Sequence, residues 1–100
     1  MTSEEAKKRV ETWNALSKEQ RHEIIAGVFR KQVESCKDMV KFDSEQIAWA
    51  NDMLKLHRAD RVPDVEMITY YTKERRRYYR EREKDRERLR EAEERLKRWS

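Results

Sequence analysis

Apolar residues return every three or four positions along most of this chain, and charged residues fill the gaps. Ala6, Val10, Trp13 and Leu16 fall on one side of a helix. Ile24, Ile25, Val28, Phe29, Val33, Cys36, Met39 and Val40 make a second, broader stripe. Ile47, Ala50, Leu54 and His57 share a line, with Trp49, Met53 and Leu56 on the line beside it. That spacing belongs to amphipathic helices, whose 3.6-residue turn brings such positions onto one face. No alternation of period two, the mark of a half-buried strand, runs for a useful length.

The ends of these stripes carry helix-start chemistry. Thr2 with Glu5, and Ser17 with Gln20, have the spacing of a capping box, in which two side chains satisfy each other's free backbone N–H groups. Phe42-Asp43-Ser44 interrupts the second stripe, and Asp43 with Gln46 repeats the box spacing. A third helix is therefore predicted to start there. Arg58 to Asp64 reads as a connection, since the residue before Pro63 avoids helical angles and proline suits a first turn. A fourth helix is predicted from Pro63 to near Trp99, about 55 Å long at 1.5 Å per residue. Asp64 and Glu66 sit where its dipole favours negative charge. The expected fold is all-α. A small three-helix body spans 1–62, and a long, charged helix over 63–100 packs on that body at its root and projects beyond it.

Composition agrees with helices and warns of a thin core. The 100 residues include one Gly and one Pro, 36% are apolar and 46% are charged. So small an apolar share makes help from oligomerisation or a partner an expectation. The single Cys36 excludes an intramolecular disulfide framework and suits a reducing compartment such as the cytoplasm. The longest apolar run, Ile24 to Phe29, is too short to cross a membrane. The acidic start Met-Thr-Ser-Glu-Glu-Ala lacks the apolar centre of a secretory signal, so none is expected.

A heptad frame fits the last helix through Ile68, Tyr71, Arg75, Tyr78, Arg82, Asp85, Leu89, Ala92, Leu96 and Trp99. Its ends are apolar and its middle is not. Burying Arg75, Arg82 and Asp85 without partners is costly, which argues against a continuous self-zipper. The frame predicts a solvated stretch over Glu81–Arg88 and a short contact through Leu89, Ala92, Leu96 and Trp99, with a second copy or another chain. Glu91–Arg95, Glu93–Lys97 and Glu94–Arg98 are acid-before-base pairs that support the helix in water.

The net charge of +4 is concentrated at the root of that helix, where Lys73–Arg82 holds six basic and two acidic residues. Tyr71, Arg75, Tyr78 and Arg82 alternate aromatic and guanidinium groups, and Tyr70 and Tyr79 flank them. Tyr and Arg are the residues most enriched at protein-binding hot spots. The same pairing suits nucleic acid, with Lys73, Arg75, Arg76, Arg77 and Arg80 on phosphates and tyrosines stacked on unpaired bases. A third reading has the tyrosines packing on the body while the arginines are solvated.

Catalytic constellations are not expected. His22 and His57 lack partners at metal-ligand spacing, so neither a metal site nor any other cofactor is called for. No phosphate loop, nucleophile elbow or zinc-protease motif occurs. Cys36 lies in an apolar stripe as a buried, inert thiol, and Ala26-Gly27 is read as ordinary close packing, the alternative being a notch filled by Trp13 or Trp49. The sequence thus predicts a non-enzymatic adaptor, inhibitor or assembly subunit. Its contacts with a protein or macromolecular complex would be Tyr70, Tyr71, Arg75, Tyr78, Tyr79 and Arg82 at the root, and Leu89, Leu96 and Trp99 at the tip. The alternatives are an RNA- or DNA-binding protein using Lys73–Arg82, and a scaffold that dimerises through its C-terminal helix.

Overall fold

The computed structural model describes residues 2–99. It contains three helices, α1 (Ser3–Ala15), α2 (Lys18–Ala59) and α3 (Val65–Trp99). Two of the three predicted capping boxes form, and that of Asp43 with Gln46 does not. Glu5 N donates to Thr2 Oγ1 and Gln20 N to Ser17 Oγ, while the Glu5 and Gln20 side chains accept from the cap backbones. The last helix starts at Val65 rather than Pro63, capped by Asp64, whose carboxylate accepts from Met67 N at 3.1 Å and so satisfies an otherwise free donor of the first turn.

The expected break at Phe42-Asp43-Ser44 is absent, and the second and third predicted helices are one 42-residue helix. Among the described residues there is accordingly no four-helix arrangement; two helices precede the turn at Pro63 and one follows it. Asp43 resembles a cap by residue type. It faces another carboxylate across the seam, however, and the helix runs through it without needing a cap.

α2 and α3 lie antiparallel as one long hairpin, joined by the turn around Pro63. His57 stacks on Tyr71 near the turn, Phe42 meets Tyr78 edge-on in the middle, and His22 meets Trp99 edge-on at the far end. α3 therefore lies along α2 for nearly its whole length and does not overhang it. At 1.5 Å per residue the two helices measure about 63 and 52 Å. Ala26, Val33, Ile47, Ala50 and Leu54 of α2 and Ala92 of α3 are the buried apolar residues, and Leu54, 1% exposed, is the largest side chain fully enclosed.

The molecule is one layer thick. Its principal extents are 71 × 32 × 14 Å, and its radius of gyration is 22.1 Å, against about 13 Å for a compact 100-residue domain. It exposes 8206 Å², where a compact monomer of 12.4 kDa exposes about 6100 Å². α1 adds little to this. None of its residues is buried, and its end is tied to α2 by Arg21, which donates to the carbonyls of Trp13 and Asn14. The notch at Ala26-Gly27 is not filled by a tryptophan. A Cβ built on Gly27 would meet only the end of Arg30, at 3.7 Å.

Candidate functional surface

The heptad frame of α3 is used within the chain. Tyr71, Arg75, Tyr78, Arg82, Leu89, Leu96 and Trp99 are all half-buried along the seam with α2. The costly middle positions find partners, Arg75 on α2 and the other two on α3 itself. Arg75 Nη1 donates to Asn51 Oδ1 at 3.0 Å. The Arg82 guanidinium lies over the Tyr79 ring at 5.0 Å, although its Nε has no acceptor. Asp85 accepts from Arg88 at 3.0 Å. The solvated stretch expected over Glu81–Arg88 thus has one residue, Asp85, deep in the seam, while Glu83, Arg86, Glu87 and Arg88 stay exposed.

Asp85 faces Asp43, and the two are 3% and 2% exposed. Burial, then hydrogen bonding to Asp85 and the nearby Asp85 and Glu81 charges, push the Asp43 carboxyl up to about 6; Arg82 works in the opposite direction. Asp43 Oδ2 has no donor from the rest of the protein. Neutralising Asp43 relieves its repulsion from the facing carboxylate, which is how like charges at close quarters coexist. A pair of this kind also penalises any slipped alignment of the two helices.

Three of the candidate cations stand free. Lys73, Arg76 and Arg80 are exposed and make no ion pair among the described residues. Arg77 is also exposed but donates to Glu74 at 2.8 Å and to Tyr78 Oη at 3.0 Å, and this engagement raises its pKa. Tyr70 and Tyr79 are the two candidate tyrosines whose rings remain in water, although Tyr70 also touches Tyr71 edge-on.

A different surface carries the apolar excess. Val28, Ser35, Phe42, Trp49 and Leu56 recur every seven residues on α2, with Gln32, Met39, Gln46 and Met53 on the adjoining line. The seam is centred on the lines through Val33, Ile47 and Leu54, so this row lies along its edge, where Phe42 also meets Tyr78 and keeps its other side in water. Val28, Met39, Phe42, Trp49 and Leu56 are each about half exposed, the last two at 56% and 57%, and Ile24 beside them is likewise half exposed. The row borders two shallow grooves on the same side of the hairpin. One runs past Val28, Ser35 and Cys36 to Arg88, Ala92 and Arg95; the other runs past Gln46 and Trp49 to Tyr70, Glu74 and Arg77. Cys36 is half-buried at the first groove rather than enclosed.

Comparison with protein-family models, with curated proteins and with solved structures gives no match. Function therefore rests on the geometry. Among the described residues no group of three or more His, Cys, Asp or Glu side chains is placed to share a metal ion, and no helix is long and apolar enough to cross a membrane.

The sequence contains the α2 row in full view, but its stripes read simply as core. The available signal was their width. A helix in a two-helix hairpin can cover one seam, whereas Val28, Trp49 and Leu56 lie on a line beyond its centre, with Phe42 at its edge. The Asp43–Asp85 contact had no local signal, since its members are 42 residues apart in the chain.

Proposed function

We propose that this chain is a non-enzymatic helical interaction module, an adaptor, inhibitor or assembly subunit, that works by docking on another protein. The observation that carries this reading is the row of large apolar side chains along the outside of α2. Contiguous apolar surface of this kind, rimmed by charge, marks protein contact sites. Aromatic anchors such as Phe42 and Trp49, with Tyr70 across the groove, are the side chains that dominate such contacts. The docking face is then α2 with the edge of α3, in place of the α3 root and tip that the heptad frame suggested. Most of that frame is occupied by α2.

The test is a pull-down from the native host with three proteins: the unaltered chain, a Phe42→Glu/Trp49→Glu variant, and a Lys37→Glu/Arg58→Glu variant altered away from the row. Partner recovery should fall at least tenfold for the first variant and stay within about twofold for the second. Equal recovery by all three would overturn the reading.

A second reading is supported by the unpaired cations. Lys73, Arg76 and Arg80 recur along one line of α3 with Tyr79 beside them, an arrangement suited to phosphates and a stacked base. Micromolar binding of single-stranded RNA or duplex DNA, falling steeply between two salt concentrations and abolished by Lys73→Gln/Arg76→Gln/Arg80→Gln, would favour it over protein docking. Absent or salt-insensitive binding would remove it.

A further inference from the structure

We infer that the occupant of the α2 row is a second copy of the chain, packed antiparallel about Phe42 to form a four-helix assembly of two hairpins. This rests on the protein-docking reading and names its partner. Three observations carry it.

The first is the missing layer. Domains consist of at least two layers of secondary structure that bury each other's apolar faces. Here there is one layer, 14 Å thick, with a surface well above that of a compact protein of the same mass. Another hairpin laid on the row supplies the absent layer and converts two thin seams into a shared core.

The second is the area on offer. Ile24, Val28, Met39, Phe42, Trp49 and Leu56 have about half their surface in water. Six such side chains amount to roughly 600 Å² per copy, close to the ~800 Å² per partner of a standard interface before the charged rim is added.

The third is the order of residue sizes along the row. A twofold axis through Phe42 sets Val28 against Leu56 of the second copy and Ser35 against its Trp49. Large then meets small, as interdigitated layers require, and each copy uses the same patch, as a twofold interface demands. In a parallel alignment Trp49 would meet Trp49 and Ser35 would meet Ser35, giving a clash next to a void. On the flanking line the antiparallel order brings Lys31 near Asp52 of the second copy, but it also brings Asp38 near Glu45. Charge therefore does not choose the direction; side-chain size does.

The experiment uses the full chain. Light scattering over a range of micromolar concentrations should give twice the 12.4 kDa chain mass, and Trp49→Glu should return the monomer mass with helical circular dichroism retained. Direction is read by cysteine pairing in a Cys36→Ser background. Phe42→Cys, on the axis, should link to its counterpart with a short bifunctional maleimide. Val28→Cys should not, because two copies of residue 28 lie roughly 40 Å apart in this arrangement. Linking at both positions would overturn the antiparallel order in favour of a parallel one. A folded monomer at every concentration would overturn self-pairing altogether. In that case, selective loss of a foreign protein in the Phe42→Glu/Trp49→Glu pull-down would leave the docking reading standing, and equal recovery would remove it as well.

Discussion

Asp43 of α2 and Asp85 of α3 face each other inside the hairpin, both almost wholly out of water, with Glu81 and Arg82 of α3 close enough to act on Asp43 and Arg88 donating to Oδ1 of Asp85. Burial and the neighbouring carboxylates raise the Asp43 carboxyl from 3.8 to about 6. An acid whose pKa is higher folded than unfolded stabilises the fold when protonated. Its contribution is complete below pH 3.8 and is lost as the pH rises through 6. The loss amounts to roughly 2–3 kcal/mol at most, taking 1.36 kcal/mol per pH unit. The urea midpoint should fall between pH 4 and pH 7. Asp43→Asn, whose amide gives Asp85 a permanent donor, should flatten that slope and raise the midpoint at pH 8. A slope equal to that of the unaltered chain would contradict the raised pKa of Asp43.

Leu54 is the largest side chain fully enclosed among the described residues, so the hairpin depends on it more than on any other apolar residue. Leu54→Ala should destabilise by about 2–4 kcal/mol in denaturant unfolding, the lost transfer energy plus the cavity left behind. Val62→Ala, at a position 82% exposed, should stay within about 0.5 kcal/mol. Similar effects at the two sites would mean that the seam is not where the structure puts it.

Gly27 lies inside α2 with room for a methyl group. Gly27→Ala should stabilise the protein by about 0.5–1 kcal/mol, through helix propensity and a less free unfolded chain. A drop in thermal midpoint would show that something approaches this point more closely than the side chain of Arg30 does.

These residues also show what the sequence reveals and what it conceals. Thr2 with Glu5 and Ser17 with Gln20 mark two helix starts correctly, because a capping box is a local interaction written within four residues. Pro63 marks the turn for the same reason. The seam positions of α3 are also legible as a heptad frame, from Ile68 to Trp99. The reading fails where the deciding partner is distant. Asp43 imitates a helix cap because its true neighbour, Asp85, belongs to another helix. Arg75 looks too costly to bury until Asn51 is found opposite it. The α2 row reads as core because sequence periodicity reports that a face is apolar, not whether anything covers it. Since Tyr71, Tyr78 and Trp99 take up the seam, the apolar surface left open is on the opposite helix from the one the charge pattern draws attention to.

The claim on which the rest depends is that α2 has one outward side built for protein contact and another that is merely solvated. A photoreactive amino acid placed in turn along α2 in the native cell tests this most directly. Positions 28, 42, 49 and 56 should capture protein, and positions 30, 37, 44 and 58 should not, giving a yield that rises and falls with a seven-residue period. Capture of equal strength on both sides, or none from the row, would contradict the account.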